Sequence, residues 1–178
     1  MTQWFKEEGD AIVLMWRSRE EIAGSEYAAW IHGTEGGSPP WVDFGAERAV
    51  SNALTEAIDR NLLRSARNVG PGGLAFAVLN ACCSTPATRP PMGARILVDE
   101  GIRPDAWLFA ESQARVIVSV ARENLAELRE IAQERELPFL EVGEVGGRLL
   151  EFGTLIGMPL DEVFDIWNGA LAERFGGF

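Results

Sequence analysis

The stretch SARNVGPGGLAFAVLN, from Ser65 to Asn80, holds the densest chemical signal in the sequence. A short extended run, Ala66 to Val69, meets a Gly-Pro-Gly-Gly turn that opens directly into an apolar helix. Gly70, Gly72 and Gly73 permit left-handed backbone or the close approach of another chain. Pro71 biases Gly70 away from the helical region, so the helix starts after it. The first amides of such a helix lack intrahelical partners and sit at the positive end of its dipole, a geometry that suits phosphate. A P-loop ending and a GxGxxG pattern are both absent, so the turn also reads as a tight strand-to-helix joint. Arg67 and Asn68 precede it.

A second group is Glu111, Ser112 and Arg115 in ESQAR. A guanidinium at 67 or 115 can meet a phosphate through two parallel N–H groups. The alternatives are a solvated side chain for Arg67 and an ion pair with Glu111 for Arg115. Cys82 and Cys83 are adjacent on a helix, where a disulfide between them would be strained. With His32 as the one imidazole, they assemble neither a zinc site nor a disulfide framework. They read as buried thiols in a reducing cytoplasm. No nucleophile lies beside a base, so covalent catalysis has no candidate.

These residues need elements to hold them. Ala11 to Trp16 (AIVLMW) reads as a strand covered on both faces. Glu20 to Ile31 suggests a short helix, interrupted at Gly24-Ser25 or begun again there, and Gly33 to Pro40 is a loop. From Phe44 to Leu63 the period is helical, with Val50, Leu54, Ile58 and Leu62 inward beside Ala46, Ala49, Ala53 and Ala57. Ser84 to Gly93 is a proline-rich connection, Ala94 to Val98 a strand, Asp99 to Asp105 a turn, and Val116 to Val120 a strand. Asn124 is placed to cap a helix that buries Leu125, Leu128, Ile131 and Ala132 and ends near Glu136 before Pro138. Phe139 to Val145 and Arg148 to Phe152 form a hairpin around Gly146-Gly147. A last helix, Leu160 to Phe175, buries Leu160, Phe164, Trp167, Leu171 and Phe175. The mixture of hairpins and helical crossovers gives an α+β or mixed α/β class.

The 178 residues fit one domain, 1–178, able to bury about 70% of its unfolded surface. A net charge of −11 makes nucleic acid and anionic membrane poor partners, and all but Lys6 of the 16 basic residues are arginine. No run approaches the roughly 20 apolar residues of a membrane-spanning helix, and MTQWFKEEGD is too acidic for a signal peptide.

With these elements placed, the chain resembles the AIR-synthase-related C-terminal domain of phosphoribosylformylglycinamidine synthase, in that enzyme's second repeat. FKEEGDAIVLMW is similar to the strand that opens the family domain, and Ala23 to Tyr27 (AGSEY) to a Gly-Gly-Ser-Glu-Tyr turn. Pro40 and Asp43 stand where the family has Pro-Pro and Asp. ARNVGPGGLAFAVLN stands at a His-Asp-Val-Ser-Asp-Gly-Gly-Leu-Ala motif, and LFAESQAR at Leu-Phe-x-Glu-Ser-x-x-Arg. EVGEVGG and GMPLDEVFDIWNGAL are similar to the closing hairpin and helix.

The resemblance implies a three-layer α-β-α sandwich with a mixed sheet and partial ferredoxin-like topology. It also implies purine biosynthesis: ATP-dependent amidine formation with magnesium, at sites between this domain and an ATP-binding domain. Arg67 replaces the family's His, Asn68 its Asp, Gly70-Pro71 its Ser-Asp, and Asn80 a Glu expected one turn into the helix. A neutral amide is a poor ligand for Mg²⁺, so the chain is expected to hold no cofactor and to catalyse nothing in isolation. Candidate phosphate or nucleotide contacts are Arg67, Asn68, Gly70, Gly72, Gly73, Glu111, Ser112 and Arg115, toward a phosphorylated ribose. The expected partners are a second copy, or a separate ATP-binding domain or synthase subunit, in the cytoplasm. The ATP-binding half is not part of the sequence, so surface it would cover should be apolar, with Trp4, Trp16 and Trp41 as candidates. An interaction module that kept the fold and lost the chemistry is the competing function.

Overall fold

β1 (Ala11–Met15) is buried at every position, which a strand achieves only with neighbours on both edges and layers on both faces. The computed structural model describes residues 1–99 and 101–176. β4 (Val116–Val120) pairs antiparallel with β1 on one edge, Val13 opposite Val118, and β2 (Leu63–Asn68) lies beyond β4. On the other edge run β5 (Phe139–Val145), β3 (Ala94–Ile96), β6 (Leu149–Phe152) and β7 (Ile156–Pro159). The seven-stranded order is β2-β4-β1-β5-β3-β6-β7, antiparallel except where β3 meets β6.

Side chains alternate across a strand, and β1 divides the core accordingly. Ala11, Val13 and Met15 pack with Val118 and Val120 under α2 (Phe44–Asp59) and α5 (Leu125–Gln133). Ile12 and Leu14 pack with Ile117 and Val142 under α3 (Gly73–Cys83), α4 (Pro104–Phe109) and α6 (Leu160–Phe175). Each large aliphatic side chain buried there contributes about 1.5–3 kcal/mol. The result is the expected three-layer α-β-α sandwich of α+β class. β1, α2, β2, β4, α5 and β5 form the ferredoxin-like part, its four strands ordered β2-β4-β1-β5. It is partial because α3, β3 and α4 intervene between β2 and β4, the two helices covering the opposite face and β3 extending the sheet.

The expected hairpin at Gly146-Gly147 does not zip β5 to β6. β3 enters between them, Ala94 facing Val145 on one side and Leu150 on the other. Gly93 permits this: it exchanges hydrogen bonds with Gly146 and Gly147, and a Cβ there would lie 2.5 Å from the Leu149 carbonyl oxygen. The hairpin formed instead joins β6 to β7 through Gly153.

Ser25 caps α1 (Glu26–His32), so the Glu20–Ile31 segment is helical only in its second part. α2 ends four residues early, because Asn61 adopts φ 57 and drops Leu62 into the core from outside the helix. Its inward face is Ala46, Val50, Ala53 and Ala57, whereas Ile58 is exposed. Asn124 does not cap α5 with its side chain, which reaches the Leu62 carbonyl at 3.5 Å. α4 forms where only a turn is expected, started by Pro104 at its first position. On α6, Leu160 is buried, Phe164 half-buried and Trp167 exposed; the burial expected of Leu171 and Phe175 falls outside the described residues. Among the described residues no helix is long and apolar enough to cross a membrane.

Candidate functional site

β2 delivers Arg67 and Asn68 to the glycine turn, but on opposite faces of the sheet. Ala66 packs into the α2/α5 core, so Asn68, two residues on, shares its face and Arg67 takes the other. The Arg67 guanidinium donates to Gln3 Oε1, while its Nε is buried without a partner. Burial lowers its pKa. One anion in the turn cannot meet both side chains.

The turn itself is closed. Gly73 N–H donates to the Gly70 carbonyl at 2.9 Å. Gly72 and Gly73 have φ of 79 and 68, conformations that L side chains disfavour. A Cβ on Gly73 would lie 2.6 Å from the Leu108 carbonyl oxygen and from Phe109 Cα, so α3 and α4 meet backbone to backbone. The Gly72 amide, aimed out of the start of α3, already has an acceptor: Glu111 Oε1 at 2.9 Å. The same oxygen accepts from Glu26 N–H at 2.8 Å, at the start of α1. The carboxylate therefore supplies the anion that the α3 dipole favours, from within the chain.

Arg115 is 1% exposed and does not pair with Glu111. Its Nε donates to the Ser112 carbonyl at 3.1 Å, Nη1 to Ser18 Oγ at 2.8 Å, and Nη2 to the Ala110 carbonyl. Burial pulls its pKa down to about 10, against the opposing fields of Glu21 and Glu111. Ser112 is buried, and its Oγ accepts from Arg19 N–H at 3.2 Å. The loop after α4 is thus stitched to the segment after β1.

Four of the expected residues, Asn68, Gly70, Glu111 and Arg115, line one pocket of about 510 Å³ with Glu47 and Gln113. Its one guanidinium is spent on three protein oxygens, and no other cation lines it to meet a phosphate. Gly72 opens on the other side of Pro71, into an apolar groove of about 480 Å³ walled by Tyr27, Trp30, Phe76 and Phe109. Asn80 lies seven residues beyond Gly73, two helical turns rather than one, and serves neither space. Its amide donates to the Phe76 carbonyl at 2.8 Å and accepts from Trp167 Nε1 at 3.0 Å, tying α3 to α6.

Among the described residues no group of three or more His, Cys, Asp or Glu is placed to hold a metal. Cys82 and Cys83 are buried, and burial pushes the Cys83 thiol up to about 11. His32 is exposed at the end of α1, its ring 5.2 Å from Tyr27. Of the tryptophans proposed for an apolar patch, Trp41 is exposed and Trp4 and Trp16 are half-buried. Phe44 at 82% and Trp30 at 73% are more exposed than Trp41 at 54%, and Phe76 at 50% is close to it. No periodicity marks Phe44, Trp30 or Phe76, because each shares its helix with inward residues.

The fold and this turn define a class: a ferredoxin-like α+β domain in which a glycine turn and an acidic loop join the helices of one face. Residues 7–153 match the family described as AIR synthase related protein, C-terminal domain, and the chain belongs to that family. It is 34% identical over 175 residues to a phosphoribosylformylglycinamidine synthase subunit PurL of Anaeromyxobacter dehalogenans, covering 94% of this chain and 23% of that one. A subunit of the same name from Cutibacterium acnes is 35% identical, covering 97% and 22%. The chain thus spans less than a quarter of these relatives. Among solved structures, Thermotoga maritima PurL complexed with FGAR superposes with a TM-score of 0.77 at 20% identity, over 92% of this chain and 29% of that one. A thiamine-monophosphate kinase from Stenotrophomonas maltophilia gives 0.56 at 14% identity, over 85% and 52%. At these identities the structures bear on the fold alone.

Proposed function

We propose that the chain works in purine biosynthesis, in the cytoplasm, as the C-terminal-type domain of an assembly related to phosphoribosylformylglycinamidine synthase, and forms no amidine by itself. The observation that carries this reading is the Glu111 carboxylate seated on the Gly72 and Glu26 amides. ATP-dependent chemistry needs a polyphosphate seat and oxygen ligands for Mg²⁺. Here the helix start is filled from within, Arg67 donates to Gln3, and Asn80 is committed to α6. These residues do not fit a magnesium ion. ATP, magnesium and a phosphorylated ribose would be held by an ATP-binding domain or subunit, with this domain as the wall they close against.

The test is to incubate the purified chain with formylglycinamide ribonucleotide, ATP, Mg²⁺ and ammonia. Neither ADP nor amidine should form, and calorimetry with ATP·Mg²⁺ should register no binding. Turnover by the chain alone would overturn the reading. A second reading, an interaction module that associates with itself or a synthase subunit, is favoured by the exposed Trp30, Phe44 and Phe76. It predicts a homodimer in light scattering at micromolar concentration, and a clean monomer counts against self-association.

A further inference from the structure

The chain leaves β1 through Trp16, whose φ of 75 is an outlier for a bulky side chain. Trp16 N–H donates to the Pro138 carbonyl at 3.0 Å, which fixes the kink. Strained backbone of this kind collects at ligand sites. Beyond it, Trp16, Arg17, Ser18 and Arg19 line an open pocket of about 600 Å³. Leu14, Ile102, Trp107 and Phe139 give it apolar walls. The volume lies within the roughly 300–1,000 Å³ of small-molecule sites.

Two guanidiniums with no acceptor among the described residues distinguish this pocket, which also carries the carboxylates of Glu20 and Asp99. The chain carries −11 overall, and Arg60, Arg95, Arg103, Arg122 and Arg148 each lie within 4.0 Å of a carboxylate. Among the described residues Arg17 and Arg19 have no such partner. Arg17 lies 5.9 Å from the centroid of the Trp16 ring, and Arg19 lies 4.5 Å from that of Trp41. A guanidinium over a ring face is oriented while its in-plane N–H groups stay free. The acidic wall residues are engaged with backbone instead. Glu20 accepts from Arg103 N–H at 3.3 Å, and Asp99 from Gly101 N–H at 2.8 Å. The contrast is the pocket of about 340 Å³ at Gly146-Gly147, where Arg95 and Arg148 are tied to Glu151 and Asp161.

We propose that the pocket at the exit of β1 binds a small molecule carrying a phosphate or carboxylate on an apolar ring. The ring packs against Trp16, Trp107 and Phe139, and the anion meets the free edges of Arg17 and Arg19. This site is separate from the glycine turn and does not depend on the function proposed above.

The test is calorimetric titration of the protein at low salt with phenyl phosphate, benzoate, phenol and inorganic phosphate. At least one of phenyl phosphate and benzoate should saturate a single site, and the tighter of the two identifies the preferred anion. Phenol and inorganic phosphate should each bind about tenfold more weakly or worse. Replacing both arginines (Arg17→Gln with Arg19→Gln) should weaken the ring anion by about tenfold or more, whereas Arg95→Gln should leave it unchanged. Thermal melts verify that the variants fold, and Arg17→Gln alone, at an exposed position, serves if the double variant does not. Phenol binding as tightly as both ring anions would overturn the proposal. So would the absence of saturable heat from either ring anion, or an equal loss in Arg95→Gln.

Discussion

The glycine turn and the exit of β1 are joined by the Glu111–Arg115 loop, yet they treat charge in opposite ways. At the turn Glu111 is answered by two amides and Arg115 by three oxygens, all from inside the chain. At the exit, Arg17 and Arg19 rest on tryptophan rings with no carboxylate partner among the described residues. An answered charge fastens elements together, whereas an oriented and unanswered one can recognise something else. The glycines that draw attention in the sequence thus mark a fastening, and the plainer WRSR segment marks the open site.

The largest effect expected from disturbing this contrast is at Gly73. Gly73→Ala must hold φ 68 with a Cβ 2.6 Å from backbone of α4. Left-handed strain of about 1–2 kcal/mol and overpacking of about 1–3 kcal/mol predict a loss near 3 kcal/mol in urea unfolding. Glu111→Ala follows, at about 2–3 kcal/mol, because two helix-start amides lose a charged acceptor while water partly replaces it. A neutral outcome for either would show that the turn is not a fastening.

At the β1 exit, Trp16→Gly should be about 1 kcal/mol more stable than Trp16→Ala. Both remove the ring, and only Gly relieves the left-handed backbone. Equal stabilities would show that the kink carries no strain. The smallest effect belongs at the entry of β1. Burial raises the pKa of Asp10, and one of its oxygens is buried without a partner. A raised folded pKa contributes stability below the unfolded value, about 3.8, that is lost as pH rises through the folded value. Asp10→Asn should flatten that acid-range dependence and shift neutral stability by less than about 1 kcal/mol. A slope unchanged by the substitution would remove Asp10 as its source.

The sequence carried the layers well and the pairing poorly, for physical reasons. Five consecutive buried residues at β1 and the Val116–Val120 alternation report directly on burial, and the glycine turn reports on φ. Pairing depends on partners distant in the chain. Gly146-Gly147 has hairpin chemistry, but nothing local announces that β3 enters between β5 and β6. The stripe on α2 was displaced because alanines, not Ile58, fit against the sheet. In the site, Arg67 and Asn68 were legible as polar replacements, while strand parity set them on opposite faces. The role of Glu111 was illegible because its partners, Gly72 and Glu26, lie 39 and 85 residues away. The Arg17 and Arg19 stacks resemble ordinary surface arginines until Trp16 and Trp41 are placed.

The central claim is that Glu111 occupies the seat an incoming phosphate would take. The direct measurement is an amide NMR titration of the parent chain and of Glu111→Ala with ATP and Mg²⁺, and with inorganic phosphate, at matched ionic strength. The Gly72 and Glu26 amides should stay put in the parent and move with added phosphate only once the carboxylate is gone. Saturable shifts at Gly72 in the parent would contradict it.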